Sequence, residues 1–195
     1  DYFKTSEFVV CTDAGLASMA NRKFNNTAGR KFITTQSIKK LKAHLKSEAI
    51  DLTKGWHLPS ETKTYNISKL RTDDKLKEKY KDKTFYKERW IKEDGLEQRL
   101  IVTYSVKYEE YQKHIRENQI NRAKTLIESN PKKIGKPKQN DPKRFIDTIT
   151  TTSDGEVADK NHYFLSQEEI DEEKQYDGYY AVCTNLKDNA LEIKS

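Results

Sequence analysis

The sequence predicts an α/β chain in which parts of a sheet core flank a large mixed α+β insertion. Three observations carry this. Phe8-Val9-Val10-Cys11-Thr12 is a continuous apolar run that ends in an acidic residue, Asp13. Lys31-Phe32-Ile33-Thr34-Thr35 is a second, β-branched run one short helix later. Tyr179-Tyr180-Ala181-Val182-Cys183-Thr184 is a third apolar strand far along the chain. Residues 1–36 and 176–195 read as core, and 37–175 as the inserted subdomain.

In order, the first run suits a strand buried on both faces. Ala14-Gly15-Leu16-Ala17 is a small-residue turn, and Ser18 can cap a helix through about Phe24. Asn25, Asn26 and Gly29 turn the chain into the second strand. Ser37 is placed to cap a helix with Ile38, Leu41 and Leu45 on one face and Lys39, Lys40, Lys42 and Lys46 on the other. After a loop with Gly55 and Pro59 comes a short strand within Lys63–Ile67. Thr84–Ile91 and Leu96–Ser105 flank Asp94-Gly95, a strong hairpin signal.

Tyr108, Tyr111, Ile115 and Ile120 predict a long helix ending near Ser129. Pro131, Pro137 and Pro142 then punctuate a basic loop with Lys132, Lys133, Lys136, Lys138, Lys143 and Arg144, which reads as mobile. Ser166 with Glu169 forms a capping box for an acidic helix through about Lys174. Tyr176-Asp177-Gly178 is a turn into the last strand. No internal repeat is visible.

Composition narrows the class. Charged residues make up 35% of the 195 and hydrophobic ones 34%, so the core is modest and its surroundings solvated. Aromatic residues at 10% argue against wholesale disorder. The net charge of +6 favours polyanionic partners without requiring them. Both cysteines, Cys11 and Cys183, sit in apolar runs and read as buried reduced thiols, pointing to a reducing, cytoplasmic setting. No apolar stretch approaches the ~18 residues of a membrane span, so no membrane partner is expected.

Asp13 is the leading candidate for chemistry. A carboxylate at the C-terminal end of a strand lies where open α/β sheets place ligands, and it could hold a divalent cation. The plain alternative is a turn residue or helix cap. Asp177, in an Asp-Gly pair before a strand, reads as turn chemistry. The basic helix face and the basic loop could contact phosphates, or could simply be solvated. His44, His57, His114 and His162 are scattered without ligand spacing. No Gly-x-Ser-x-Gly elbow and no phosphate-binding glycine loop occurs.

These residues together resemble the DDE transposases of bacterial insertion sequences, in the branch with a large insertion between the second and third catalytic acids. Phe8-Val9-Val10-Cys11-Thr12-Asp13-Ala14-Gly15-Leu16-Ala17-Ser18 with Asn21 is similar to the strand bearing the second catalytic Asp. Leu96–Ser105 is similar, more weakly, to part of the inserted region. Tyr176–Leu186 resembles the stretch preceding the final catalytic helix.

The resemblance implies a ribonuclease H-like core and a three-carboxylate site for two Mg2+ (or Mn2+) ions in the intact protein. It also implies a double-stranded DNA partner, both transposon ends and target, and self-association. Asp13 is the one catalytic and metal-binding residue it assigns here. The first Asp is expected upstream and the final Glu downstream, so that this chain is an internal fragment, inactive alone. Lys39, Lys40, Lys42, Lys46, Lys132, Lys133, Lys136, Lys138, Lys143 and Arg144 are the DNA-contact candidates.

Tyr86, Arg89 and Glu93 match the spacing of the family's Tyr-x-x-Arg-x-x-x-Glu pattern. The Lys expected seven residues after the Glu is Leu100 here, and the alternation suits a hairpin strand. That match is accidental on this reading. The competing view, from a different class, is a non-enzymatic basic module that binds nucleic acid or protein.

Overall fold

The computed structural model describes residues 8–129, 131, 134–135, 137–138, 140–151 and 160–187. The chain forms two compact units, Asp1–Tyr108 with Gly178–Ser195 and Glu109–Asp177.

In the first unit, β1 (Val9–Thr12) and β2 (Lys31–Thr35) are joined through α1 (Met19–Asn25). They pair in parallel, Val9 opposite Lys31 and Thr12 opposite Thr34. A helical crossover is the connection parallel strands require. α2 (Ala43–Ile50) follows, then the two-residue strands β3 (Trp56–His57) and β4 (Thr64–Tyr65), and α3 (Asp74–Tyr80). β5 (Phe85–Glu93) and β6 (Leu96–Tyr104) form the expected hairpin. Asp94 (φ 48°) and Gly95 (φ 82°) take the left-handed conformations of a two-residue turn whose twist matches its strands.

α4 (Val106–Ser129) leads into the second unit. That unit holds a second hairpin, β7 (Ile146–Thr151) with β8 (Lys160–Leu165), and α5 (Gln167–Lys174). Ser166 caps α5, accepting from the Glu169 N–H at 3.4 Å. The chain then returns to the first unit as β9 (Tyr179–Thr184).

The strand order is β1-β2-β9-β6-β5-β3-β4, antiparallel except for β1 with β2. The protein is thus mixed α/β with a mainly antiparallel sheet. The sheet extends well past residue 36. β6 pairs with β9 over six positions, Arg99–Tyr104 against Thr184–Tyr179, which places the 85–104 hairpin beside the flanking strands. The second unit begins only at residue 109, whereas the sequence pattern drew the insertion over 37–175.

The side chains explain this placement. β6 is buried from Gln98 through Tyr104, as a central strand must be. Leu45 and Ala49 of α2 border the same small cavity as Leu100 and Val102 on one sheet face. Arg22 of α1 reaches Gln98 on the same face. On the other face Ile101 and Leu186 are buried, with Ile33, Tyr86 and Val182 packed against them. Trp56, fully buried, packs near Tyr104 and Tyr179 with ring centroids 6.2 and 6.1 Å away.

Several elements differ from expectation. Among the described residues β1 is an edge strand, not one buried on both faces: Phe8 is 67% exposed and Val9 38%. Cys183 is buried as expected, but Cys11 is exposed. Ser37 makes no side-chain cap. The helix expected from it is a 3-10 turn (Ile38–Lys40) and α2, separated by extended Leu41. Ile38, Leu41 and Leu45 are nonetheless all buried, so the apolar spacing marked the core even where the backbone departs from a helix. Among the described residues no helix is long and apolar enough to cross a membrane.

Candidate functional site

Asp13 stands at the C-terminal end of β1, where the chain leaves the sheet. It caps the 3-10 turn Ala14–Leu16: its Oδ1 accepts from the N–H groups of Gly15 at 2.9 Å and Leu16 at 3.2 Å. Both bonds go to the same oxygen. Gly15 gives this approach room: a Cβ there would lie 3.2 Å from Asp13 Oδ1, tighter than ordinary packing, so the carboxylate would have to shift slightly. The next turn is fixed in the same manner. Ser18 Oγ accepts from Asn21 N–H at 3.2 Å, and the Asn21 amide donates to the Leu16 carbonyl at 3.0 Å.

The strand ends behind Asp13 are tied together by polar side chains. Thr12 donates to the Thr34 hydroxyl at 2.7 Å, across the parallel pair. Arg22, only 5% exposed, donates to Gln36 Oε1 at 2.6 Å and to Gln98 Oε1 at 3.2 Å. It thereby clamps α1 to the residue just beyond β2 and to central strand β6. A buried guanidinium needs such partners, since an unpaired one is costly in the interior. This clamp escaped the sequence reading, because nothing local distinguishes Arg22 from its solvated basic neighbours.

A metal at Asp13 would meet a hard, solvent-exposed carboxylate, the donor Mg2+ and Mn2+ take. Among the described residues no group of three or more His, Cys, Asp or Glu is placed to hold a metal ion.

The basic candidates are dispersed. Lys39, Lys40 and Lys42 are exposed and Lys46 is half-buried; Lys42 lies 3.9 Å from Glu93. Lys138 is exposed and Lys143 half-buried, while Lys132, Lys133 and Lys136 lie outside the described residues. Arg144 is a packing residue within the second unit. Its guanidinium holds Glu173 at 2.7 and 3.0 Å and Gln119 at 2.5 Å, and lies 4.2 Å from the Phe145 ring centroid.

Two further readings find their places. Asp177 is in the expected turn, yet it is buried and accepts from Arg116 at 2.5 Å. Tyr86, Arg89 and Glu93 lie on strand β5, not on a helix. Side chains alternate along a strand, so Tyr86 faces away from Arg89 and Glu93, and the three form no common site.

A groove of about 680 Å³ at the end of α2 is bordered by Glu48, Asp51, Lys54 and Lys87. Three of these four charges are turned to structural use: Glu48 pairs with Arg89, Asp51 accepts from Thr53, and Lys87 donates to the carbonyls of Glu48 and Asp51. Asp13 does not border it. Comparison of the chain with protein families, with curated proteins and with solved structures finds no match to any of them.

Proposed function

We propose that this chain is part of the catalytic region of a DDE transposase, contributing the middle carboxylate of a metal-dependent DNA cleavage and strand-transfer site. The observation that carries the reading is Asp13 itself: an exposed carboxylate at the C-terminal end of β1, beside the parallel partner β2, on a glycine-containing turn. On this reading β1, β2 and β9 belong to a ribonuclease H-like core, and the other two carboxylates come from parts of the parent protein outside this chain.

In that setting Asp13 Oδ1 is held by its own turn, which fixes the carboxyl plane and leaves Oδ2 to face a cation. The metal pair would activate a water or a DNA 3′-hydroxyl and stabilise the leaving oxygen. The residues behind Asp13 provide rigidity: Arg22 anchors α1, and the Thr12–Thr34 bond fixes the two strand ends.

The test is the parent protein with Asp13→Asn, assayed for Mg2+-dependent cleavage of transposon-end DNA. Asn retains an oxygen for the turn and removes only the charge. Loss of cleavage with unchanged DNA affinity is expected. Retained cleavage overturns the reading, and a robust Mg2+-dependent nick by this chain alone that Asp13→Asn abolishes overturns the placing of the other two carboxylates outside it.

One observation favours the non-enzymatic alternative. The two backbone bonds to Oδ1 are those of an ordinary capping aspartate, and a binding module would need nothing more of it. In that case Asp13→Asn leaves every activity of the parent intact.

A further inference from the structure

The stretch from β4 to β5 carries a concentration of positive charge that neither the Asp13 site nor the basic segments above include. Residues 63–83 hold eight basic side chains against four acidic ones, a net +4 within a chain of net +6. Three of the four acids are committed locally. Asp73 caps α3, accepting from the N–H groups of Lys75 and Leu76 at 3.0 and 3.1 Å. Asp74 pairs with Lys77 at 3.6 Å and Glu78 with Lys81 at 3.9 Å.

Lys63, Lys75, Lys79 and Lys83 are exposed, and no carboxylate pairs with them among the described residues. Lys75 and Lys79 are four residues apart on α3 and so share one face. The Lys79 ammonium lies 5.1 Å from the Tyr80 ring centroid and that of Lys63 lies 5.0 Å from the Tyr65 centroid. The two rings are 6.4 Å apart, which brings α3 and β4 into one surface. Lys83 joins it through a turn, its N–H donating to the Tyr80 carbonyl at 3.0 Å.

We infer that the Lys63–Lys75–Lys79–Lys83 face is a binding surface for the phosphodiester backbone of duplex DNA, separate from the Asp13 site and indifferent to base sequence. The chemistry favours a polyanion of regular charge spacing. Four ammonium groups on a relatively rigid frame can each neutralise a phosphate and release its counterion. Tyr65 and Tyr80 are half-buried, packed against Phe85 with ring centroids 5.5 and 5.4 Å away, so they brace the lysines rather than stack on bases. None of the strongly exposed apolar side chains falls in this stretch, as insertion into a lipid surface would require.

The experiment uses the full chain and a fluorescein-labelled duplex of random sequence, with anisotropy titrations across a salt series. The variant K63Q/K75Q/K79Q/K83Q is compared with an equal-charge control, K54Q/K107Q/K113Q/K124Q; equal melting temperatures establish that both are folded. The patch variant is expected to lose roughly 10- to 100-fold in affinity, and its log–log salt slope to fall by about 3 to 4, near 0.9 per lost phosphate contact. The control is expected to change its slope by less than about 1.

Equal losses in the two variants make the effect one of net charge and overturn the assignment. Polyglutamate bound as tightly as the duplex, and lost in the same patch variant, makes the partner an acidic protein and overturns it too. Asp13→Asn leaves this binding unchanged, so failure here and failure of the carboxylate reading are seen in different assays.

Discussion

The Arg116 guanidinium meets the Asp177 carboxylate at 2.5 Å with both side chains more than nine-tenths buried, fastening the middle of α4 to the turn that closes the second unit. Removing one partner of such a pair leaves an uncompensated charge in the interior, at a cost of about 3–5 kcal/mol. Asp177→Ala is therefore expected to destabilise the second unit by about that amount, and the double variant Arg116→Met/Asp177→Leu by much less. Urea unfolding followed by circular dichroism checks both. A double variant as unstable as the single one shows that the pair's surroundings, not its charge, set the cost.

Asp13 has two separable roles, a cap and a charge. The cap is in hand: Oδ1 serves two backbone N–H groups. Asp13→Ala is expected to cost about 1 kcal/mol of stability, the usual loss for a cap. Asp13→Asn is expected to cost a few tenths or less, since Asn caps as well as Asp. Thermal melts of the two variants make the comparison, and equal losses mean that the negative charge, not the bond geometry, holds the turn.

What was legible in the sequence was what local chemistry dictates. Asp94-Gly95 announced its hairpin because both residues tolerate positive φ and strand-like runs flank the pair on either side. Ser166 with Glu169 announced α5, and the 106–129 helix followed from its apolar spacing. Less visible was α3, whose mixed charges hide a helix with Leu76 as its main apolar residue and Asp73 as its cap.

What escaped was long-range. The pairing of β6 with β9 joins residues about eighty apart, so the run Leu100-Ile101-Val102 could not show which strand would cover its edge. The same holds for Asp177. Asp-Gly spelled a turn, but the arginine that buries it lies 61 residues earlier. Of the candidate site, the position of Asp13 at a strand end was legible and the Arg22 clamp behind it was not.

The two thiols should behave oppositely. Cys183 is fully buried beneath the sheet face, and burial pushes its thiol up to about 11, although Arg22 nearby works against the shift. Cys11 sits exposed on the edge strand. The thiolate is the reactive form, so a disulfide reagent at pH 8 is expected to modify Cys11 readily and Cys183 only after denaturation. Mass spectrometry of the labelled native chain decides it, with early labelling of Cys183 revealing that β9 opens locally.

Lys87 gives the fold a distinctive pH response. Its ammonium donates to the Glu48 and Asp51 carbonyls at the end of α2 and lies 4.4 Å from the Trp56 ring centroid. Burial pushes its pKa down to about 8, against the opposing pull of Asp51 and Glu48 and with a smaller push from Lys54. Between about 8 and the ordinary value of 10.5 the unfolded chain therefore binds the proton more tightly than the folded one. Stability then rises with pH across that window as far as Lys87 is concerned. Cys183 acts in the opposite sense, because its raised value makes the folded chain the better proton binder between 9.0 and about 11. Comparing wild type with Lys87→Met cancels the cysteine contribution. The stability difference between them is expected to move in favour of wild type from pH 8 to pH 10, by a modest amount because Lys87 is only half-buried. A difference that stays flat over the window, measured by urea unfolding at each pH, shows instead that Lys87 titrates as a solvated lysine and that its two carbonyl bonds carry the whole of its effect.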